Sequence, residues 1–294
     1  MERLVKAHLD HRRSWQDFDY CYPVLSRRSG GLSLGVNLNP DRVCNFHCVY
    51  CEVDRVNPAR RRDVDLDQLE REMAVLVDLA VSGAIFEVPP FDSAKPDQRR
   101  LNDIAFSGDG EPTLAKAFPE AVARLVRLKN SRGLEDVKLV LITDATRLQA
   151  PEVVRGIELL MEHGGEIWAK LDAGTEAHYR EINRSPVPFA RILENLESAG
   201  KRWPLTIQTL FLEWQGQGPS EGEIEAYKAR LQALRDSGAR LQGLQIYTVA
   251  RPTPEAAARP LGARALDSLA ASVADAIPGL PVQVFYGPED GVHA

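Results

Sequence analysis

The chain has 294 residues, 44% of them hydrophobic and 27% charged, enough for one large or two small soluble domains with a sizeable core. Lys plus Arg number 36 against 42 Asp plus Glu, and the resulting net charge of −6 argues against a generic polyanion binder while leaving room for a local basic patch. No apolar run approaches the ~20 residues of a membrane helix, and the opening residues lack a signal-peptide core. A soluble, cytoplasmic protein that makes no membrane contact is expected.

Residues 1–31 are mixed in character and end in the turn-forming run Ser26-Arg27-Arg28-Ser29-Gly30-Gly31, so they read as an N-terminal extension. From Leu32 onward, short apolar segments at 32–38, 102–107, 137–143, 166–172, 205–212 and 243–249 read as strands, each followed by an amphipathic helix. The helix after the first strand aligns Leu66, Leu69, Met73, Leu76 and Ala80 on one face, with Gly83 as its C-terminal cap. The helix after the fifth opens on Ser220 with Glu223 three residues on, a capping-box pattern, and ends at Gly238. The last carries Leu266, Leu269, Val273 and Ile277 up to Pro278, before a short strand at 281–286. Six strand–helix units in alternation predict an α/β fold with a parallel sheet. They are too few for a closed eight-stranded barrel and leave an open partial barrel or a doubly wound sheet. In both, the loops after the strand C-termini form the active face.

The loop after the first strand holds Cys44, Cys48 and Cys51, while Cys21 stands apart. Three thiolates in eight residues suit a metal centre better than disulfides in a reducing compartment. A structural zinc site needs a fourth ligand, for which Cys21 or His47 would have to fold in. A [4Fe–4S] cluster held on three irons leaves the fourth iron open, which is a catalytic design.

The run Cys44-x3-Cys48-x-Tyr50-Cys51, with an aromatic before the last cysteine, resembles the hallmark loop of the radical S-adenosylmethionine (SAM) superfamily. The run Ser107-Gly108-Asp109-Gly110-Glu111-Pro112-Thr113, after the second strand, is similar to that family's glycine-rich motif, with Asp109 where a glycine is usual. The resemblance implies that this loop holds the amino group of SAM, and leaves open which of Asp109 and Glu111 does so. Thr143-Asp144-Ala145-Thr146 stands where relatives show Thr-Asn-Gly-Thr, and Lys170-Leu171-Asp172 where they show Ser-x-Asp. By the same resemblance Tyr50, Gly108, Asp109, Gly110, Glu111, Asp144, Lys170 and Asp172 are cofactor-binding candidates. Lys170 and Asp172 lie two apart, so on one strand they share a face directed into the barrel. Lys170 then suits the SAM carboxylate and Asp172 the ribose hydroxyls, or the two charges pair with each other. Gln208 and Arg251 are further candidates for the interior.

Within that family, the runs SGDGEPTL and LDAGT resemble iron–sulfur oxidoreductases related to the wyosine-base tRNA-modifying enzymes. The implied fold is a partial (β/α)6 barrel over 32–250, with residues 251–294 a helix-and-strand extension of the same domain. The implied activity is reductive cleavage of SAM to a 5′-deoxyadenosyl radical, using a flavodoxin or ferredoxin as electron donor, on a substrate the sequence does not name. Arg55, Arg60, Arg61 and Arg62, with Lys95, Arg99 and Arg100, would form a phosphate footprint if that substrate were a nucleic acid. Their balance by Asp63, Asp65 and Asp67 favours a solvated charge run instead. The non-enzymatic alternative, a zinc- or cluster-stabilised binding module, has no use for the glycine-rich loop.

Overall fold

Side chains along each central strand alternate between two faces. Leu32, Leu34, Ile104, Phe106, Leu139, Leu141, Ile167, Ala169, Leu205, Ile207, Leu244 and Ile246 point outward into one core shared with the helices. Ser33, Asp103, Trp168, Lys170, Thr206, Gln208 and Gln245 lie at the intervening positions, on the inner face. Ala105, Val140 and Ile142 form a small apolar cluster with Trp168 on that inner face, so the sheet curls around a mixed surface while helices cover the other. The chain does this in a computed structural model that describes residues 6–9, 15–55, 57, 59 and 61–288.

Among the described residues the strands are β1 (Cys21–Ser26), β2 (Gly31–Val36), β3 (Leu101–Phe106), β4 (Lys138–Thr143), β5 (Glu166–Lys170), β6 (Leu205–Leu210), β7 (Leu212–Trp214), β8 (Leu241–Tyr247), β9 (Ala258–Pro260) and β10 (Val282–Phe285). The helices are α1 (Lys6–Leu9), α2 (Leu66–Ser82), α3 (Phe118–Ser131), α4 (Pro151–Glu162), α5 (Glu176–Ile182), α6 (Phe189–Arg202), α7 (Glu221–Asp236) and α8 (Ala263–Ala276). One eight-stranded sheet runs in the order β1-β2-β3-β4-β5-β6-β8-β10, and β7 pairs with β9 separately. All neighbours in the large sheet are parallel except β1 and β2. The six expected strand–helix units are present and curl into the partial barrel.

Residues 21–26, read from sequence as part of an extension, form the antiparallel strand β1, with Cys21 opposite Val36 and Ser26 opposite Gly31. Pro23 hides the strand signal, and an edge strand tolerates proline because one side of its backbone needs no partner. Tyr22 from this strand lies over Gly35, where a Cβ would overlap the ring, and its hydroxyl reaches the Ser107 carbonyl oxygen at 3.2 Å. Glu72 of α2 anchors the start of β1 by accepting from the Asp19, Tyr20 and Cys21 amides at 2.9–3.0 Å.

Helix ends follow their sequence signals, with one exception. Asp65 caps α2 and Gly83 closes it in the left-handed region at φ 79°. Ser220 Oγ accepts from the Glu223 amide at 3.2 Å, the first half of the expected capping box. The Glu223 carboxylate instead turns to the loop after β5, accepting from Thr175 N at 3.1 Å and Thr175 Oγ1 at 2.6 Å. Among the described residues no helix is long and apolar enough to cross a membrane.

The barrel interior opens at its lower end into a cavity of about 560 Å³. Asp103 lines it, accepts from Ser33 Oγ through Oδ1, and has no hydrogen-bond partner for Oδ2 among the described residues. Burial pushes its carboxyl above the usual range. A carboxyl with a higher pKa folded than unfolded contributes full stability below its unfolded value of about 3.9 and loses that contribution as pH rises through the folded value. Asp103→Asn, which mimics the protonated form, is therefore expected to stabilise the protein at pH 8 and to confer little at pH 4. Denaturant unfolding at both pH values checks this, and a gain independent of pH would count against it.

Candidate active site

The cysteine loop lies across the upper end of the barrel between two backbones. On one side Gly108 and Gly110 abut it: a Cβ on Gly108 would overlap Asn37 Oδ1, and one on Gly110 would overlap the Val43 carbonyl oxygen and stand 2.7 Å from Asn39 Cβ. The Glu111 amide donates to that same Val43 oxygen at 3.2 Å. Asn37 joins the two loops, accepting from Asn39 N at 3.0 Å and Asp109 N at 3.1 Å, and donating to Asp109 Oδ2 at 2.9 Å. On the other side the His47 and Val49 amides donate to the carbonyls of Asn183 and Ile182, each at 2.9 Å, at the end of α5. The glycines thus serve the approach of one loop to another.

Glu111 is buried and accepts from four protein donors. Oε1 takes Thr113 N at 3.1 Å, Thr113 Oγ1 at 2.6 Å and Thr143 Oγ1 at 2.7 Å, while Oε2 takes Asp144 N at 2.7 Å. Asp144 Oδ1 accepts from Thr146 N and Oγ1 at 2.9 and 2.7 Å, and Oδ2 lies 4.0 Å from Cys44 Sγ. Burial and the adjacent Glu111 carboxylate hold the Asp144 carboxyl well above the usual range. Ala145 sits at φ 66°, in the left-handed region that favours glycine, and Asn195 of α6 fixes its carbonyl oxygen at 2.8 Å.

Lys170 and Asp172 meet through Tyr50. Lys170 Nζ donates to Tyr50 Oη at 2.9 Å and lies 4.8 Å from the ring centroid, and the same hydroxyl donates to Asp172 Oδ2. Asp172 is buried beyond the end of β5 and does not line the site cavity. Its remaining partners are Leu210 N at 2.9 Å and Asn183 Nδ2 at 2.8 Å, so the carboxylate caps β6 and is filled by protein donors. Burial alone would lower the Lys170 ammonium, but Tyr247, Asp172, Cys48 and Cys51 more than offset it and hold the group above the usual lysine range. Ala169 and Leu171 face the helix layer, as the alternation requires.

Cys44, Cys48, Tyr50, Cys51, Gly108, Asp109, Gly110, Glu111, Asp144 and Lys170 all line one cavity of about 270 Å³. Cys21, the first residue of β1, lies outside it with its buried thiol 3.5 Å from the Leu69 carbonyl oxygen, and His47 is exposed. Neither completes a four-ligand zinc site. Among the described residues no three His, Cys, Asp or Glu side chains enclose a single ion. Burial and Asp144 push the Cys44 thiol up to about 12, and burial pushes Cys48 up to about 11 against the pull of Lys170. Thiolates in these positions need a positive centre among them, and a cluster of iron ions fits that donor set.

Gln208 lines the same cavity, fully buried, with Nε2 on Gln245 Oε1 at 2.7 Å and Oε1 without a partner among the described residues. Arg251 also lines it and pairs with Glu52 at 2.8 Å. Of the arginine-rich loops, Arg60 lies outside the described residues, Arg61 pairs with Asp19 at 2.7 Å, and Arg99 donates to the Ala94 carbonyl oxygen at 3.0 Å. Sequence reasoning missed Asn37, Asn183, Asn195 and Tyr22, single residues whose roles depend on distant segments and leave no spacing pattern.

A family model described as the Radical SAM superfamily matches residues 38–213. A UPF0026 protein of Methanocaldococcus jannaschii is 29% identical over 177 residues, 59% of this chain and 47% of that one, so the chain spans about half the length of that relative. Among solved structures, TYW1 with a lysine–pyruvate adduct superposes with a TM-score of 0.54 at 14% identity, covering 84% of this chain and 74% of that one. A spore photoproduct lyase variant gives 0.53 at 12% identity, covering 83% and 74%. These structural likenesses concern the fold.

The absence of room at Gly110 makes a sharp expectation. Gly110→Ala should displace the cysteine loop and reduce bound iron after anaerobic reconstitution to well under half of the wild-type content, at a stability cost of about 1–3 kcal/mol typical of overpacking. Iron analysis beside thermal unfolding checks this, and full iron content in the variant would show that the loop accommodates the methyl group.

Proposed function

The chain belongs to the radical SAM superfamily, and from that premise we propose that it binds a [4Fe–4S] cluster on Cys44, Cys48 and Cys51 and cleaves SAM reductively in the cavity they line. Given one electron by a flavodoxin- or ferredoxin-type donor, the bound cluster would supply that electron to the sulfonium, so that methionine leaves and the 5′-deoxyadenosyl radical takes a hydrogen atom from the substrate. The observation that carries this reading is that the three thiols, the glycine-rich loop and Lys170 line one cavity.

The residues divide the remaining work. Lys170 brings a positive charge to the cavity wall and suits the SAM carboxylate. Asp109 lines the cavity and suits the amino group, since a carboxylate accepts several hydrogen bonds. Glu111, with four protein donors on its carboxylate, positions the glycine loop against β4. Asp172 holds Tyr50, and through it Lys170, so its part in SAM binding is indirect. Gln208 offers the substrate a buried acceptor at the inner face of the barrel.

Replacing Cys44, Cys48 or Cys51 singly by Ala is expected to abolish bound cluster, whereas Cys21→Ala leaves iron content unchanged. The reconstituted, dithionite-reduced protein should form 5′-deoxyadenosine from SAM slowly even without substrate. Loss of cluster in Cys21→Ala, or no product from fully loaded wild-type protein, would count against the proposal. Lys170→Met should weaken SAM binding about tenfold or more, the 1.5–3 kcal/mol of a charged hydrogen bond. Asp172→Ala should chiefly lower thermal stability, because it strands the Leu210 amide and the Tyr50 hydroxyl. Anaerobic calorimetry with unfolding curves separates the two, and equal losses of affinity without loss of stability would make Asp172 a direct contact.

A further inference from the structure

Asn183 directly follows α5 and is 1% exposed. Its Nδ2 donates to Asp172 Oδ2 at 2.8 Å and to Cys48 Sγ at 3.5 Å, which occupies both amide hydrogens. Its Oδ1 is buried without a partner among the described residues. A buried orphan calls for an explanation, and here the rest of the group is committed elsewhere. The opposite amide orientation would turn Oδ1 toward a carboxylate and a sulfur, both acceptors. Asp172 cannot swing away, since Leu210 N holds one oxygen and Tyr50 the other. The Asn183 backbone is fixed as well, with its N–H on the Tyr179 carbonyl oxygen and its own carbonyl accepting from His47 N, each at 2.9 Å.

The other two sulfurs are served differently. Cys44 Sγ receives the Phe46 backbone amide at 3.4 Å, and Cys51 Sγ lies 3.9 Å from the Arg55 guanidinium. Cys48 thus has a neutral side-chain donor aimed by a network, in addition to the nearby Tyr50 of its own loop.

Resting on the reading that the three cysteines hold a cluster, we propose that Asn183 is a positioning residue that sets the cluster's reduction potential through its hydrogen bond to Cys48. Reduction adds one electron whose charge is shared with the sulfur ligands. An N–H directed at a ligand sulfur stabilises the reduced form more than the oxidised form and so raises the potential.

The test is an EPR-monitored redox titration of the reconstituted wild-type protein, Asn183→Leu and Thr175→Ala. Thr175 Oγ1 caps α5 by accepting from His178 N at 3.2 Å, so its removal loosens the same helix while leaving the amide in place. In Asn183→Leu the ratio of reduced to oxidised cluster at a fixed potential should fall about three- to tenfold, a negative shift of about 30–60 mV for one electron. Thr175→Ala should lose thermal stability with no change in potential. An unmoved potential in a fully loaded Asn183→Leu, or an equal shift in Thr175→Ala, overturns the assignment. If Asn183→Leu fails to hold a cluster, Asn183→Ala, which removes the donor without adding a branched side chain, decides by the same titration: a lowered potential supports the bond, and an unmoved potential overturns it. A wild-type protein that binds no iron overturns the cluster reading itself, whereas a loaded cluster with an unmoved potential overturns only the role of Asn183.

Discussion

Two loops at the top of the barrel touch so closely that no methyl group fits between them, and the arrangement of the site depends on this contact. Gly110 faces the Val43 carbonyl oxygen and Gly108 faces Asn37. Because the backbones meet directly, the Glu111 amide can reach the Val43 carbonyl and the Asn37 side chain can serve both loops. Glu111 then carries the constraint onward to Thr143 and Asp144 at the end of β4. Three successive strands are tied at their C-terminal ends, and the position of Cys44 follows from theirs. The end of α5 holds the opposite flank of the loop through His47 and Val49.

Below this layer, the interior of the barrel carries an ordered polar row beside the apolar patch of Ala105, Val140 and Trp168. Lys170, Gln208, Gln245 and Gln283 stand opposite one another across β5, β6, β8 and β10. Strands in a curled sheet tilt, so this single row passes from the upper cavity, lined by Lys170 and Gln208, to the lower one, lined by Gln245 and Gln283. The two edges of the sheet, β1 and β10, approach each other without pairing. Arg27 spans them by donating to the Tyr286 carbonyl oxygen, and Arg28 lies over the Tyr247 ring at 5.2 Å. The open side of the barrel is therefore bridged by long side chains, which can move, rather than by backbone ladder bonds.

What the sequence revealed divides along the same physical line. Periodicity reports which face of an element is buried, so the parallel strands and the helices around Leu66–Ala80 and Leu266–Ile277 were legible. Spacing reports which side chains come from one loop, so the convergence of Cys44, Cys48 and Cys51 on one cavity was legible too. β1 was hidden because Pro23 breaks the strand signal in an edge position that tolerates it. Asp172 was placed beside Lys170 by counting two residues along a strand. The strand ends at Lys170, and the carboxylate caps the backbone of β6 instead. Glu223 carried a valid capping signal whose carboxylate was drawn away by the amides of the loop after β5. Asn183 and Asn195 had no local signal, since each acts on a segment far away in the chain.

The charges around the three cysteines are not symmetrical, and this bears on what the cavity accepts. Cys44 faces Asp144, with Glu111 behind it, while Cys48 and Cys51 lie within the field of the Lys170 ammonium. Asp109 adds a carboxylate on the acidic side. A ligand crossing this cavity meets negative charge at one wall and positive charge at the other, and an α-amino acid carries the complementary pair on adjacent atoms. Reversing it would place a carboxylate against Asp109 and an ammonium against Lys170, each a like-charge contact in a half-buried space where screening is weak. The same asymmetry favours one orientation for an α-amino acid group in the cavity.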